Sequence, residues 1–366
     1  MEEREVTHKD WLKHYFASLL IYGVILIFLI FCPAYYETIT FDKFDYTAFF
    51  AIYYLLYAAI APIIFYIIKP KNVLNSRSLT ILGYIKRQFK FGRSTEEFLA
   101  GIEPNENEKL SLMTLFIQTY FGVYCINTIC NKYLADLGYN IGFIAEFFRD
   151  AKRFLGLGSD IWSVMVQFII DTGDVWLKLI MMLTLIVLAF SYLTESDIFK
   201  NRVKSVDTTP LGVLSCLAFY YPVIILTDAF LKITDKKLLP VNNDILLTIL
   251  ISLSIIANLG ILIAVLRLGT KSGNLTNRGI VTGFPYNIVR HPDYAMQILY
   301  IIVTTIPICI MPNISILQKL LMLIATFAWI YLYYIRAITE ERHLIKDNDY
   351  KEYVQKVKYR FIPKIF

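Results

Sequence analysis

The chain has 366 residues, of which 57% are hydrophobic and only 18% charged. A soluble globule carries about 25% charged residues, and the apolar residues here fall into runs long enough to cross roughly 30 Å of hydrocarbon. That excludes a soluble globule, a disordered chain and a disulfide scaffold, and a net charge of +6 in such a chain reports orientation rather than nucleic-acid binding.

In chain order, the polar N-terminus carries Glu2, Glu3 and Glu5, which are incompatible with the basic leader of a cleavable signal. Eight spans are then predicted, at 15–33, 48–68, 111–130, 175–194, 212–230, 245–266, 294–311 and 316–335. The last two are joined only by Pro312-Asn313-Ile314-Ser315 and so form a helical hairpin. Alternate loops hold 26 and 8 of the 36 lysines and arginines, with two inside spans, which places both termini in the cytoplasm. The connections 69–110 and 131–174 are too long to be structureless. An interfacial helix is expected within each, for example over Ile141–Leu155 in the second. The expected fold class is an all-α polytopic membrane protein of about eight transmembrane helices.

Most of the chain offers little chemistry. Cys32, Cys125, Cys130, Cys216 and Cys309 fall inside or at the edge of apolar runs, form no C-x-x-C and have no zinc-like spacing to histidine, so no metal is expected. Phe154-Leu-Gly-Leu-Gly158 lacks the third glycine and the preceding strand of a phosphate loop and reads as a turn. Asp171, Asp174 and Lys178 share a helical face and read as a solvated helix end. His8 and His14 carry no partner pattern.

The last hundred residues differ. Between the sixth and seventh spans lies Asn277-Arg-Gly-Ile-Val-Thr-Gly-Phe-Pro-Tyr-Asn-Ile-Val-Arg-His-Pro-Asp-Tyr294, and after the eighth comes Arg336-Ala-Ile-Thr-Glu-Glu-Arg-His-Leu344. Because one hairpin carries both clusters, its two ends bring an Arg-His pair and a Glu-Glu pair together at the membrane surface. Pro292 suits a first helical turn, which sets His291 at a helix mouth that favours an anion. Arg336 and Glu340 share a helical face, whereas Glu341 is turned away by about 140° unless the helix bends.

These residues, with Tyr350-Lys-Glu-Tyr353 and Tyr359-Arg-Phe-Ile-Pro363, resemble the isoprenylcysteine carboxyl methyltransferase family and the related membrane phospholipid methyltransferases. The resemblance covers about Ala257–Phe366 and implies a cytoplasmic site for S-adenosylmethionine as methyl donor. It implies that His291, Tyr294 and Glu340 hold the methionyl part, that Leu344 closes the adenosine side, and that Arg336 and Glu341 stand nearest the transfer. The implied acceptor is a membrane lipid or lipidated substrate. Residues 241–366 are then the catalytic region, and residues 1–240, outside the resemblance, are expected on the substrate side. Two positions depart from the family: Thr282-Gly-Phe-Pro-Tyr286 replaces a Ser-Gly-Pro-Tyr loop, and Asp293 puts an acid after His-Pro. Two rival readings remain, an NADPH-dependent sterol-reductase-like enzyme and a non-enzymatic transporter or scaffold. Sterol reductases share Arg-His-Pro and the closing Tyr-Arg-x-x-Pro but tend to carry Asn after His-Pro. The transporter reading lacks paired broken helices in both halves.

Overall fold

A computed structural model describes residues 5–31, 46–68, 70–89, 103–134, 137–156, 160–220, 223–230, 243–310 and 314–365. The fold is all-α and polytopic. Its helices are α1 His8–Phe31, α2 Tyr46–Ile68, α3 Arg77–Gln88, α4 Glu106–Thr128, α5 Leu137–Gly156, α6 Ile161–Leu193, α7 Pro210–Leu217, α8 Val223–Phe230, α9 Asp244–Leu268, α10 Pro292–Ile310, α11 Ile316–Leu344 and α12 Asn348–Lys356. Among the described residues, six of them, α1, α2, α4 with the π-turn that extends it, α6, α9 and α11, are long and apolar enough to cross a membrane. The chain is therefore a multi-pass membrane protein. It divides into two compact units, Met1–Lys132 with Ala189–Val206, and Tyr133–Leu188 with Asp207–Phe366. The sequence boundary at 240/241 lies outside the described residues.

In the first unit α1 packs on α2, with Trp11, Ala61, Phe65 and Val73 at the centre of the contact. Asn105 and Glu108 form a reciprocal capping box that starts α4, and Glu108 also takes an ion pair from Arg87 at 2.6 Å. Arg77 opens α3 and spends its Nε and Nη2 on Glu195 at 2.7–3.0 Å and on the Val203 carbonyl at 2.7 Å.

In the second unit α9 and α10 approach closely because Gly260 has no side chain: a Cβ there would fall 2.6 Å from Met296 Cγ. The hairpin is formed by α10 against α11, with Thr305 and Thr326 hydroxyls 3.0 Å apart, and a capping box at Ser315 and Gln318 begins α11. The long second connection contains α5 as expected, its Phe147 and Phe148 packed on Phe168 of α6. Lys178 pairs with Asp174 at 2.9 Å and Asp174 is largely exposed, but the expectation of a helix end is corrected: Asp171, Asp174 and Lys178 lie in the middle of α6, which runs unbroken from Ile161 to Leu193. Gly158 and Cys32 lie outside the described residues.

One predicted span is corrected. The fifth, at 212–230, is not a single helix: α7 ends at Leu217, Ala218–Tyr220 form a turn, and α8 begins at Val223. An eight-residue helix rises only about 12 Å, too short to span. The cause is legible in Tyr221-Pro222, since proline disfavours helix in the residue before it. The turn also has a use, because it directs Phe219 and Tyr220 toward the cluster described next.

Candidate active site

Helix α11 runs without a break from Ile316 to Leu344. Arg336 and Glu340 therefore share a face, and Glu341 points elsewhere. Helix α10 starts at Pro292, so His291 precedes its first turn and accepts the Ala295 N–H at 3.0 Å on its carbonyl. The C-terminal segment then runs alongside, with the backbone N–H groups of Arg290 and His291 donating to the carbonyls of Tyr359 and Arg360, each at 2.9 Å.

Glu341 lies at the centre of a partly buried ion cluster. Its Oε1 accepts from Arg290 Nε at 2.7 Å and stands 3.2 Å from His291 Nε2, and its Oε2 accepts from Arg360 Nε at 3.0 Å. Arg290, only 7% exposed in its side chain, spends Nη1 on the carbonyls of Val357 and Lys358 at 3.0 and 2.8 Å. A partly buried carboxylate facing two guanidinium groups is held as an anion. The cluster joins the start of α10, the end of α11 and the tail.

A second cluster occupies the other face. The Tyr294 hydroxyl donates to Glu340 Oε2 at 2.7 Å, and the His291 ring stacks on Tyr294 with centroids 5.2 Å apart and planes within 4°. Arg336 lays its guanidinium against Tyr294 and Phe219, 5.1 and 5.3 Å from the ring centroids, and donates to Asn274 Oδ1. Such contacts suit a planar guanidinium. No carboxylate lies within ion-pair distance of Arg336 among the described residues. Glu340 is 43% exposed in its side chain, and its one hydrogen bond among the described residues comes from Tyr294.

Leu344 packs against a buried cluster of Ala264, Tyr286, Tyr350, Tyr353 and Val357. Tyr353 donates to the Tyr286 carbonyl at 2.6 Å. Burial pushes the phenols of Tyr286, Tyr350 and Tyr353 above their ordinary range, so they stay neutral and available as donors. The Tyr286 hydroxyl is buried with no hydrogen-bond partner among the described residues. Its electrostatic neighbours include Asp293 and Glu340.

His291, Tyr294, Glu340 and Arg336 thus come together, Leu344 sits in the tyrosine cluster behind, and Glu341 faces Arg290 and Arg360 rather than Arg336. Sequence reasoning did not single out Arg290 and Arg360 as partners of Glu341, although both stand inside the motifs it quoted. It also passed over Asn274 and Phe219, which seat Arg336 and carry no motif. The donor set fits S-adenosylmethionine: an exposed carboxylate for the ammonium or ribose hydroxyls, aromatic faces for a sulfonium, and an orphaned phenol beside an apolar wall for the adenosine part.

One comparison with known protein families matches part of the chain. Residues 244–350, from the start of α9 to the first turns of α12, match the family model for phospholipid methyltransferase. No curated protein and no solved structure matches the chain.

Proposed function

We propose that this protein is an S-adenosylmethionine-dependent membrane methyltransferase that acts on a lipid-like or lipidated acceptor. The observation that carries the reading is the convergence of His291, Tyr294, Glu340 and Arg336 on the segment that matches the phospholipid methyltransferase model. When bound, S-adenosylmethionine supplies a methyl group on a sulfonium, displaced in line to leave a neutral thioether. Methyl transfer of this kind depends chiefly on positioning.

The chain's own residues divide that work. Glu340, oriented by Tyr294, binds the cationic or hydroxylated part of the cofactor, and His291 stacked on Tyr294 walls the same side. Glu341 acts as a positioning residue. Its partners fix His291 at the mouth of α10 and hold the tail closed, and a carboxylate held by two arginines is a poor proton acceptor. Arg336, which has no carboxylate partner among the described residues, aligns the acceptor. A carboxylate acceptor needs no base and gains two parallel bonds from a guanidinium. Arg336 therefore favours O-methylation of a lipidated carboxylate over N-methylation of a headgroup amine.

The test uses purified protein in lipid nanodiscs with methyl-labelled S-adenosylmethionine. The acceptors offered are an S-farnesylcysteine carboxylate and phosphatidylethanolamine. Label entering the farnesylcysteine, and lost in His291→Ala and Glu340→Ala through weaker cofactor binding, is the expected result. Each variant should bind the cofactor about tenfold more weakly, the cost of one charge-assisted hydrogen bond. Label entering phosphatidylethanolamine instead would overturn the assignment to a carboxylate. Binding of NADPH with no binding of S-adenosylmethionine would overturn the whole reading.

A further inference from the structure

The first unit contains a cavity of about 340 Å³ walled by α1, α2, α3, α4 and the end of α6. A narrower cavity of about 80 Å³ adjoins it. The two share Tyr22, Tyr53, Tyr57, Leu115, Gln118 and Leu193 as walls. The larger one is lined by the early part of α1, from His14, and by the late part of α2, to Phe65. The narrower one continues along α1 from Tyr22 to Leu29 and reaches back along α2 to Phe50. His14 to Leu29 is fifteen residues of α1, or about 22 Å of rise. The path therefore starts at one end of the spans and extends well into hydrocarbon.

Its chemistry changes along that length. At the wide end stand Arg77, Glu195, Asp197 and Arg202. Arg77 and Glu195 satisfy each other. The other two are not so matched: among the described residues Arg202 makes one hydrogen bond, from Nη2 to the Asn75 carbonyl at 2.9 Å, and Asp197, exposed at the cavity mouth, has no partner for its carboxylate. Deeper in, the walls are mostly apolar and aromatic, with the Tyr53, Tyr54 and Thr119 hydroxyls spent on backbone carbonyls, whereas the Gln118 amide and the Tyr22 hydroxyl have no hydrogen-bond partner among the described residues. Polar groups left unpaired at membrane depth are costly. A site with one under-used cation and one unpaired anion at its mouth, two unsatisfied polar groups below and an apolar slot beyond has the profile of a zwitterionic amphiphile.

We infer that this cavity binds a zwitterionic phospholipid, with its phosphate at Arg202, its ammonium at Asp197, an ester or glycerol oxygen at Gln118 and Tyr22, and one acyl chain in the slot toward Leu29 and Phe50. A phosphate without an ammonium would leave Asp197 as a like-charged neighbour, and an uncharged lipid would leave both charges unmatched. The inference stands on the first unit alone and does not rest on the methyl-transfer reading.

The test is lipid retention by the full chain, purified in detergent and read by native mass spectrometry. Phosphatidylcholine, phosphatidylglycerol and diacylglycerol of the same acyl composition compete. Phosphatidylcholine should be retained about tenfold over diacylglycerol, as expected when a charge-assisted bond is gained, and should also outcompete phosphatidylglycerol. Asp197→Asn should erase the preference for phosphatidylcholine over phosphatidylglycerol. Arg202→Gln should erase the preference for either over diacylglycerol. Leu115→Trp fills the shared wall and should expel the chain. If that variant unfolds, Gln118→Leu and the wild-type competition still decide. Equal retention of the three lipids, or retention unaltered in Asp197→Asn and Arg202→Gln, would overturn the proposal.

Discussion

At the scale of single residues, Arg336 and Glu341 show how two neighbouring charges on one helix take different work. Arg336 lies against two aromatic faces and one amide. An arginine that only reaches for headgroups would tolerate lysine, since a long cation suffices there. Lysine offers neither the planar stack nor the two-pronged grip on a carboxylate. Arg336→Lys should therefore lower turnover at saturating S-adenosylmethionine by about tenfold or more, with cofactor affinity nearly unchanged; turnover near the wild-type rate would reduce Arg336 to an anchor. For Glu341 the expected loss is structural. Removing its carboxylate leaves Arg290 buried beside Arg360 with no anion, a defect worth about 3–5 kcal/mol in buried pairs. Glu341→Ala should show that loss in denaturant unfolding. Glu341→Gln, which keeps an acceptor for Arg290, should lose less.

At the scale of elements, the apolar runs made most of the helices legible, because a segment that crosses hydrocarbon must be long, apolar and internally hydrogen-bonded. The interruption at 212–230 was harder to see, since its composition is apolar throughout and only Pro222 marks the break. The site was legible where it is made of motif residues: His291, Tyr294, Glu340 and Arg336 come together as the hairpin requires. Glu341's partners were not, because the tail that carries Arg360 approaches through backbone bonds to Arg290 and His291 that no periodicity encodes. Gly260 was likewise silent in the sequence, one small residue among many in α9, yet it sets the closeness of α9 and α10. A side chain there meets Met296, and overpacking of this kind costs about 1–3 kcal/mol. Gly260→Val should lower the unfolding temperature, and Met296→Ala in the same chain should restore part of it. Simple additivity of the two changes in a double-mutant cycle would mean that this contact does not set the helix spacing.

At the scale of the whole molecule, the distribution of charge makes a claim about orientation. With the fifth predicted span reduced to two short helices, the 26-to-8 tally over eight alternating spans no longer orients both ends. The C-terminal hairpin still carries its own signal, since the stretch 267–293 and the tail from Arg336 hold 12 lysines and arginines and the turn 312–315 holds none, and basic residues are retained on the cytoplasmic side. The C-terminal tail alone carries Lys356, Lys358, Arg360 and Lys364. The Glu341 cluster is built at that end of α11, where a water-soluble cofactor would have to enter. The start of α11, at Ser315 and Ile316, lies at the opposite end of the same helix, and its 29 residues rise about 43 Å, more than the roughly 30 Å hydrocarbon core. The two ends of α11 should therefore report opposite compartments. Lys364→Cys and Ile316→Cys, each made in the otherwise unchanged chain, place a thiol at either end. Three native cysteines, Cys125, Cys130 and Cys216, are buried and free, and the unaltered chain measures any background. In intact cells an impermeant maleimide should label Ile316→Cys and leave Lys364→Cys unlabelled until the membrane is opened. External labelling of the tail cysteine would put the motif cluster outside the cell, away from any intracellular pool of S-adenosylmethionine, and would overturn the orientation and the proposed chemistry together.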